Sequence, residues 1–152
     1  MREILFRGQK AICGGWVYGS LAVKTDSLLG IKTYFILNQE PRKDGLLEPL
    51  VSWHNVKAET VGQYTGLKDK NGKMIFEGDV VEQSLYDYVE PICDGFGEVV
   101  FCERDCSFSV LCASENEIMP LGRNGAYCWE AEVLGNIHDN PELLKGDSNA
   151  TD

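Results

Sequence analysis

The sequence predicts a mainly β protein with few short helices, organised as two small β regions. Three observations carry this reading. Short apolar pieces rich in β-branched and aromatic residues recur, divided by turn residues at spacings of roughly 8–12 in the second half. No apolar period of 3.6 residues runs far enough to make an amphipathic helix. Asn71-Gly72, between Lys70 and Lys73, is the strongest short-range hairpin signal, because a type I′ turn needs positive φ at two successive residues and Asn and Gly tolerate it best.

In chain order, "EILF" near the start, "GWVYGSLAV" at 15–23, "TYFIL" at 33–37 and "LVSWH" at 50–54 read as strands. "NQEPRKDG" at 38–45 reads as a loop, with Pro41 and Asp44-Gly45 as breakers. "KAETVGQY" at 57–64 reads as a helical turn entering a strand. Gly66 and Gly78 bracket the Asn71-Gly72 hairpin at further sharp bends, and Asp79 sits where its carboxylate can accept backbone N–H groups. In the second half "DVVEQSLYDYVE", "GEVVFCE", "CSFSVLCA", "AYCW" and "AEVLGNI" are strand candidates. "NPELL" at 140–144 is the clean helix signal, with Asn140 as cap, Pro141 at the first helical position and Glu142 at the positive end. The expected division is 1–61 as an N-terminal β region, 62–144 as a C-terminal small β-barrel region, and 145–152 as a disordered tail.

Composition narrows the function classes. A chain of 152 residues with a 43% hydrophobic share can bury roughly 70% of its unfolded surface without staples. No uninterrupted apolar run exceeds four residues, which excludes a spanning helix, and "MREILFRGQK" lacks the apolar stretch of a secretory leader, so a cytoplasmic protein is expected. The six cysteines (Cys13, Cys93, Cys102, Cys106, Cys112, Cys128) show no C-x-x-C knuckle and no nearby histidine, so buried reduced thiols are expected and no metal or other cofactor. Charge is uneven: residues 1–76 hold 11 Lys/Arg against 7 Asp/Glu, and 77–152 hold 3 against 17, giving +4 and −14. So negative a second half repels phosphate backbones, and nucleic acid is an unfavoured partner.

Catalysis finds little support. Glu77 and Asp79 would share one face of a regular strand, but Gly78 suggests a bend between them. His54 and His138 lack a recognisable nucleophile or orienting partner, and no G-x-S-x-G elbow, P-loop or Rossmann glycine pattern occurs. Trp16, Trp53 and Trp129 suit a core, though an exposed tryptophan can anchor a partner.

The run Ile75, Phe76, Glu77, Gly78, Asp79, Val80, Val81 begins as the first strand of many small SH3-like barrels begins. Together with "MREILFR", "VGQYTGLKDKNGKMIFEGDVV" and "VLGNIHDNPELL", it makes the chain resemble the YopX protein family of bacteriophages and prophages. The resemblance implies a phage or prophage protein, mostly β, with an SH3-like small barrel in the second half. It implies no catalytic residue. Tyr64, Gly66, Asn71, Gly72, Gly78, Asp79, Gly135 and Asn136 are the signature positions, in a structural role.

Two functions from different classes follow. One is a non-enzymatic accessory protein that binds a host or phage protein through its β surface, with Tyr34, Trp53 and Tyr64 as the candidate partner surface. The other is a small module that binds single-stranded nucleic acid with the mildly basic first half. Several short strands also imply several sheet edges, so a homo-oligomer is expected.

Overall fold

The computed structural model describes residues 3–40, 50–86, 91–113, 117–122 and 128–145. The chain divides into two compact units, Met1–Tyr64 and Thr65–Asp152. The division falls inside a strand, not in front of it as the expected boundary after residue 61 has it.

The first unit contains β1 (Phe6–Gln9), β2 (Trp16–Thr25), β3 (Lys32–Glu40), β4 (Leu50–Val56), a 3-10 turn at Ala58–Thr60 and the start of β5 (Gly62–Lys68). These strands lie in the order β4-β3-β2-β1-β5, and the ladders between them are antiparallel. β1 begins at Phe6, later than the apolar "EILF" suggests. β3 also runs through Asn38–Glu40, part of the expected loop, because the ladder to β4 continues from Asn38↔Ser52 to Glu40↔Leu50. Residues 41–49 lie outside the described residues. The sheet curls until the continuation of β1 meets the end of β4, at an isolated bridge between Lys10 and Val56. Gly8 permits that approach, since a Cβ there would stand 3.0 Å from the Val56 Cβ.

One face of this sheet makes the core. Val17, Ile36 and Val56 are buried, with Phe6, Leu21, Tyr34 and Val61 packed on them. Burying each aliphatic side chain contributes about 1.5–3 kcal/mol.

In the second unit, β5 runs on beside β6 (Met74–Phe76). A separate five-stranded sheet follows, in the order β10-β9-β8-β7-β11, from β7 (Asp79–Tyr86), β8 (Pro91–Cys102), β9 (Ser107–Cys112), β10 (Ile118–Pro120) and β11 (Cys128–Asn136). The candidates "AYCW" and "AEVLGNI" prove to be one strand, β11. Its ladder to β7 slips by one residue between Val133 and Gly135, which leaves Leu134 as a bulge. Ile75, Val81, Val99, Val110, Ala131 and Val133 form the core, with Leu67, Leu121 and Trp129 against it. Among the described residues no ladder joins β10 to β11, so the sheet is open and the closure of an SH3-like small barrel is not confirmed.

"NPELL" forms turns and not a helix. Leu143 N–H donates to Asn140 C=O (3.1 Å) and Lys145 N–H to Glu142 C=O (3.1 Å). A cap without a following apolar period has nothing to propagate a helix. The 3-10 turn at Ala58–Thr60 is the helical segment expected at 57–64.

Candidate functional site

The glycine-punctuated block at 63–82 is the most conspicuous stretch of the sequence; its lysines are exposed, but its two aspartates, Asp69 and Asp79, are turned inward. Asp69, which the sequence reading passes over, is its centre. The Oδ1 atom accepts N–H groups from Asn71 (2.9 Å) and Lys73 (2.8 Å), and Oδ2 accepts the Val133 N–H (3.2 Å). Burial pushes this carboxyl upward, but the bonds from Val133, Lys73 and Asn71, with the nearby Lys73 charge, hold it below its ordinary value. The sequence does carry a signal for it: an Asp two residues before Asn-Gly is placed to bond its own turn.

That turn differs from the expected one. Gly72 N–H donates to Asp69 C=O (2.9 Å) and Asp69 N–H to Lys73 C=O (2.8 Å). Gly72 has φ +82°, whereas Asn71 is not in the positive-φ region. The tip is therefore a turn over Asp69–Gly72 closed by one left-handed glycine, not a type I′ pair, because the Asp69 carboxylate anchors the Asn71 N–H.

Gly66 and Gly78 also hold positive φ, at +90° and +75°. Asp79 is 1% exposed, and its Oδ2 accepts the Phe76 N–H (2.8 Å) across the Gly78 bend. That bend breaks the strand on which Glu77 and Asp79 would have shared a face. Gly135 and Asn136 end β11. Asn136 Oδ1 accepts the N–H groups of His138 (3.0 Å) and Asp139 (2.9 Å), and a Cβ at Gly135 would fall 2.5 Å from Asn140 Oδ1.

Other polar groups of the second unit are likewise occupied. Gln83, 1% exposed, accepts the Trp129 indole N–H (3.1 Å) and donates to Pro120 C=O (3.1 Å). Cys102 and Cys112 are buried thiols, whereas Cys13 and Cys106 are exposed. Among the described residues no group of three or more His, Cys, Asp or Glu side chains is placed to hold a metal ion.

The first unit has the opposite character. Tyr64 is buried, and burial, with Glu3 nearby, pushes its phenol upward. Tyr34 packs on the core. Both leave the candidate partner surface: Tyr34 shares the parity of Ile36 on the inner face, whereas Tyr64, on the face of Arg7 by the β1–β5 register, is itself buried. Trp53, next to the half-buried His54, points the other way and is 61% exposed. The ladders Ala22↔Phe35↔Asn55 and Leu37↔Trp53 put Ala22, Phe35, Leu37 and Trp53 on one outer face with Val51. The Phe35 and Trp53 rings meet edge to face, centroids 6.3 Å apart. Across β2, β3 and β4 this face carries Lys24 and no carboxylate. Tyr18 (42% exposed) continues it toward β1, where the Arg7 guanidinium lies 4.7 Å from the Trp16 ring centre. Sequence alternation alone could not have found the face, because Trp53 joins Phe35 and Leu37 on it only through the β3–β4 register.

The chain matches the family model described as "YopX protein" over residues 6–145. None of the curated proteins matches it. Among solved structures it is similar to the crystal structure of protein EF1440 from Enterococcus faecalis, with 21% identity, a TM-score of 0.48, and coverage of 95% of this chain and 99% of that one. With the family model spanning nearly the whole described chain, this protein belongs to the YopX protein family.

Proposed function

We propose that the protein is a phage- or prophage-encoded accessory protein without enzymatic activity, acting in the cytoplasm of a bacterial host by binding a protein partner through the outer face of β2, β3 and β4. The observation that carries this is the Trp53 ring, 61% exposed and braced on Phe35, in an apolar patch beside Val51 and Leu37. Large exposed apolar side chains gathered on one face mark an interaction site, and an aromatic ring is the commonest anchor of such a site. The absence of carboxylates on this face suits an apolar or acidic partner surface. The same rings would serve as a stacking platform for single-stranded nucleic acid, but a net charge of −10 opposes phosphate backbones.

The test compares wild type with Trp53→Ala, each immobilised and exposed to host lysate and, separately, to a labelled single-stranded oligonucleotide. Retention of a host or phage protein by wild type, lost on Trp53→Ala, supports the reading. Salt-sensitive retention of the oligonucleotide, lost in the same variant, would replace it with the nucleic-acid reading.

A further inference from the structure

We propose that β4 pairs with β4 of a second copy across a two-fold axis, joining two first-unit sheets into one. β4 is the edge strand, and among the described residues only its end is covered. There Asn55 C=O accepts the Ala11 N–H (2.9 Å) and Lys57 N–H donates to Gln9 C=O (2.9 Å), so odd-numbered residues turn their backbone groups away from β3. In an antiparallel ladder this direction alternates residue by residue. Val51 and Trp53 therefore also present N–H and C=O to the open side, and no backbone bond among the described residues uses them.

Exposed edges are normally guarded by Lys, Pro or a bulge. β4, with the sequence LVSWHNV, has none of these and no formal charge. Leu50, Val51 and Trp53 are 51%, 46% and 61% exposed.

A second copy suits this edge for three reasons. The four free backbone groups are self-complementary: with Ser52 on the axis, Val51 of each copy exchanges both bonds with Trp53 of the other. The strand is neutral in a chain of net charge −10, so it is a stretch where two copies meet without like-charge contact. Finally, the axis stands perpendicular to the sheet, so both outer faces point the same way and each Trp53 lies across from a Val51, a favourable aromatic–β-branched pair. The dimer would present two copies of the aromatic face as one surface, whatever partner that face takes.

Light scattering behind size exclusion, at micromolar concentration, tests this. Wild type should run at twice the chain mass of 16.9 kDa. Val51→Pro removes only an outward N–H, which β3 does not use. Val51→Lys keeps every backbone group but places two cations beside the axis. Both variants should fall to the single-chain mass with an unchanged far-ultraviolet circular dichroism spectrum. Should Val51→Pro misfold, Val51→Lys decides alone. A wild-type chain that is monomeric, or a dimer that survives Val51→Lys, overturns the proposal. A wild-type chain that is monomeric yet still captures a partner through Trp53 would overturn the dimer and leave the function proposed above intact, so the two readings fail separately.

Discussion

The two units spend their conspicuous side chains in opposite directions. In the second, the carboxylates of Asp69 and Asp79 and the amide of Gln83 are buried and bonded to backbone or to Trp129. In the first, the sheet turns Trp53, Val51 and Tyr18 outward. The region with the densest motif is thus the one whose polar groups are consumed by the fold. The region with no motif is the one that leaves Trp53, the most exposed ring among the described residues, for a partner. A carboxylate that has met its donors inside a turn has little left to offer a ligand, whereas an exposed ring on a rigid sheet is already in place for binding.

Substitutions in the polar centre should therefore act on stability, and the largest effect belongs to Asp69. Asp69→Ala leaves the Asn71, Lys73 and Val133 N–H groups without their acceptor. At about 1 kcal/mol or more for each group, the loss should reach about 3 kcal/mol in urea denaturation. A variant within 1 kcal/mol of wild type by that measure would mean that water replaces the carboxylate and that the contrast between the units is weaker than drawn.

The same group sets an acid response. Its folded value lies below the ordinary one. The stability it contributes is thus complete above the unfolded carboxylate range of about 4, and is lost as pH falls through the folded value. Glu98, raised by burial, has the opposite sign: its contribution is present when protonated and is lost as pH rises through its folded value. Urea midpoints should fall below pH 4 in wild type and fall less in Asp69→Asn, which does not titrate. Equal acid slopes in the two proteins would assign the response to other carboxylates.

A smaller effect is expected at Gly72. With φ at +82° and open space around the Cβ position, Gly72→Val meets no clash but forces a β-branched residue into the left-handed region. The cost should be about 1–2 kcal/mol in thermal or urea unfolding. An unchanged melting temperature would mean that the tip relaxes to another turn and that Asp69 alone fixes the hairpin.

Much of the fold was legible where a local rule sufficed. Strand runs such as "TYFIL" and "LVSWH" sit inside β3 and β4, and Gly72 and Gly78 stand at turns where the punctuation puts them, whereas Gly66, also at positive φ, lies inside β5. What was not legible depends on contacts between distant residues. The extension of β3 to Glu40 is imposed by its ladder with β4. The short β10 exists because β9 offers it a partner. Asp69 is explained by Val133, which is 64 residues away. The candidate surface failed for the same reason. Tyr34 and Trp53 are both aromatic residues in apolar strands, and only pairing register tells which one faces the core.

The smallest expected change in stability is at Trp53, and it sharpens the comparison most. The indole is 61% exposed and contacts Phe35 at the sheet surface, outside the buried cluster of Val17, Ile36 and Val56. Truncation there opens no cavity in the core and removes one exposed aromatic contact, so Trp53→Ala should change unfolding free energy by only about 0.5 kcal/mol. Binding should respond in the reverse order, since loss of an anchoring tryptophan removes on the order of 2 kcal/mol or more from an interface. Measured together, urea unfolding and partner retention give two numbers for each of Asp69→Ala and Trp53→Ala. The contrast holds if the first variant loses stability and, under conditions where it is folded, still binds, while the second stays stable and does not bind. It breaks if Trp53→Ala unfolds the first unit, because the ring would then be part of the core after all.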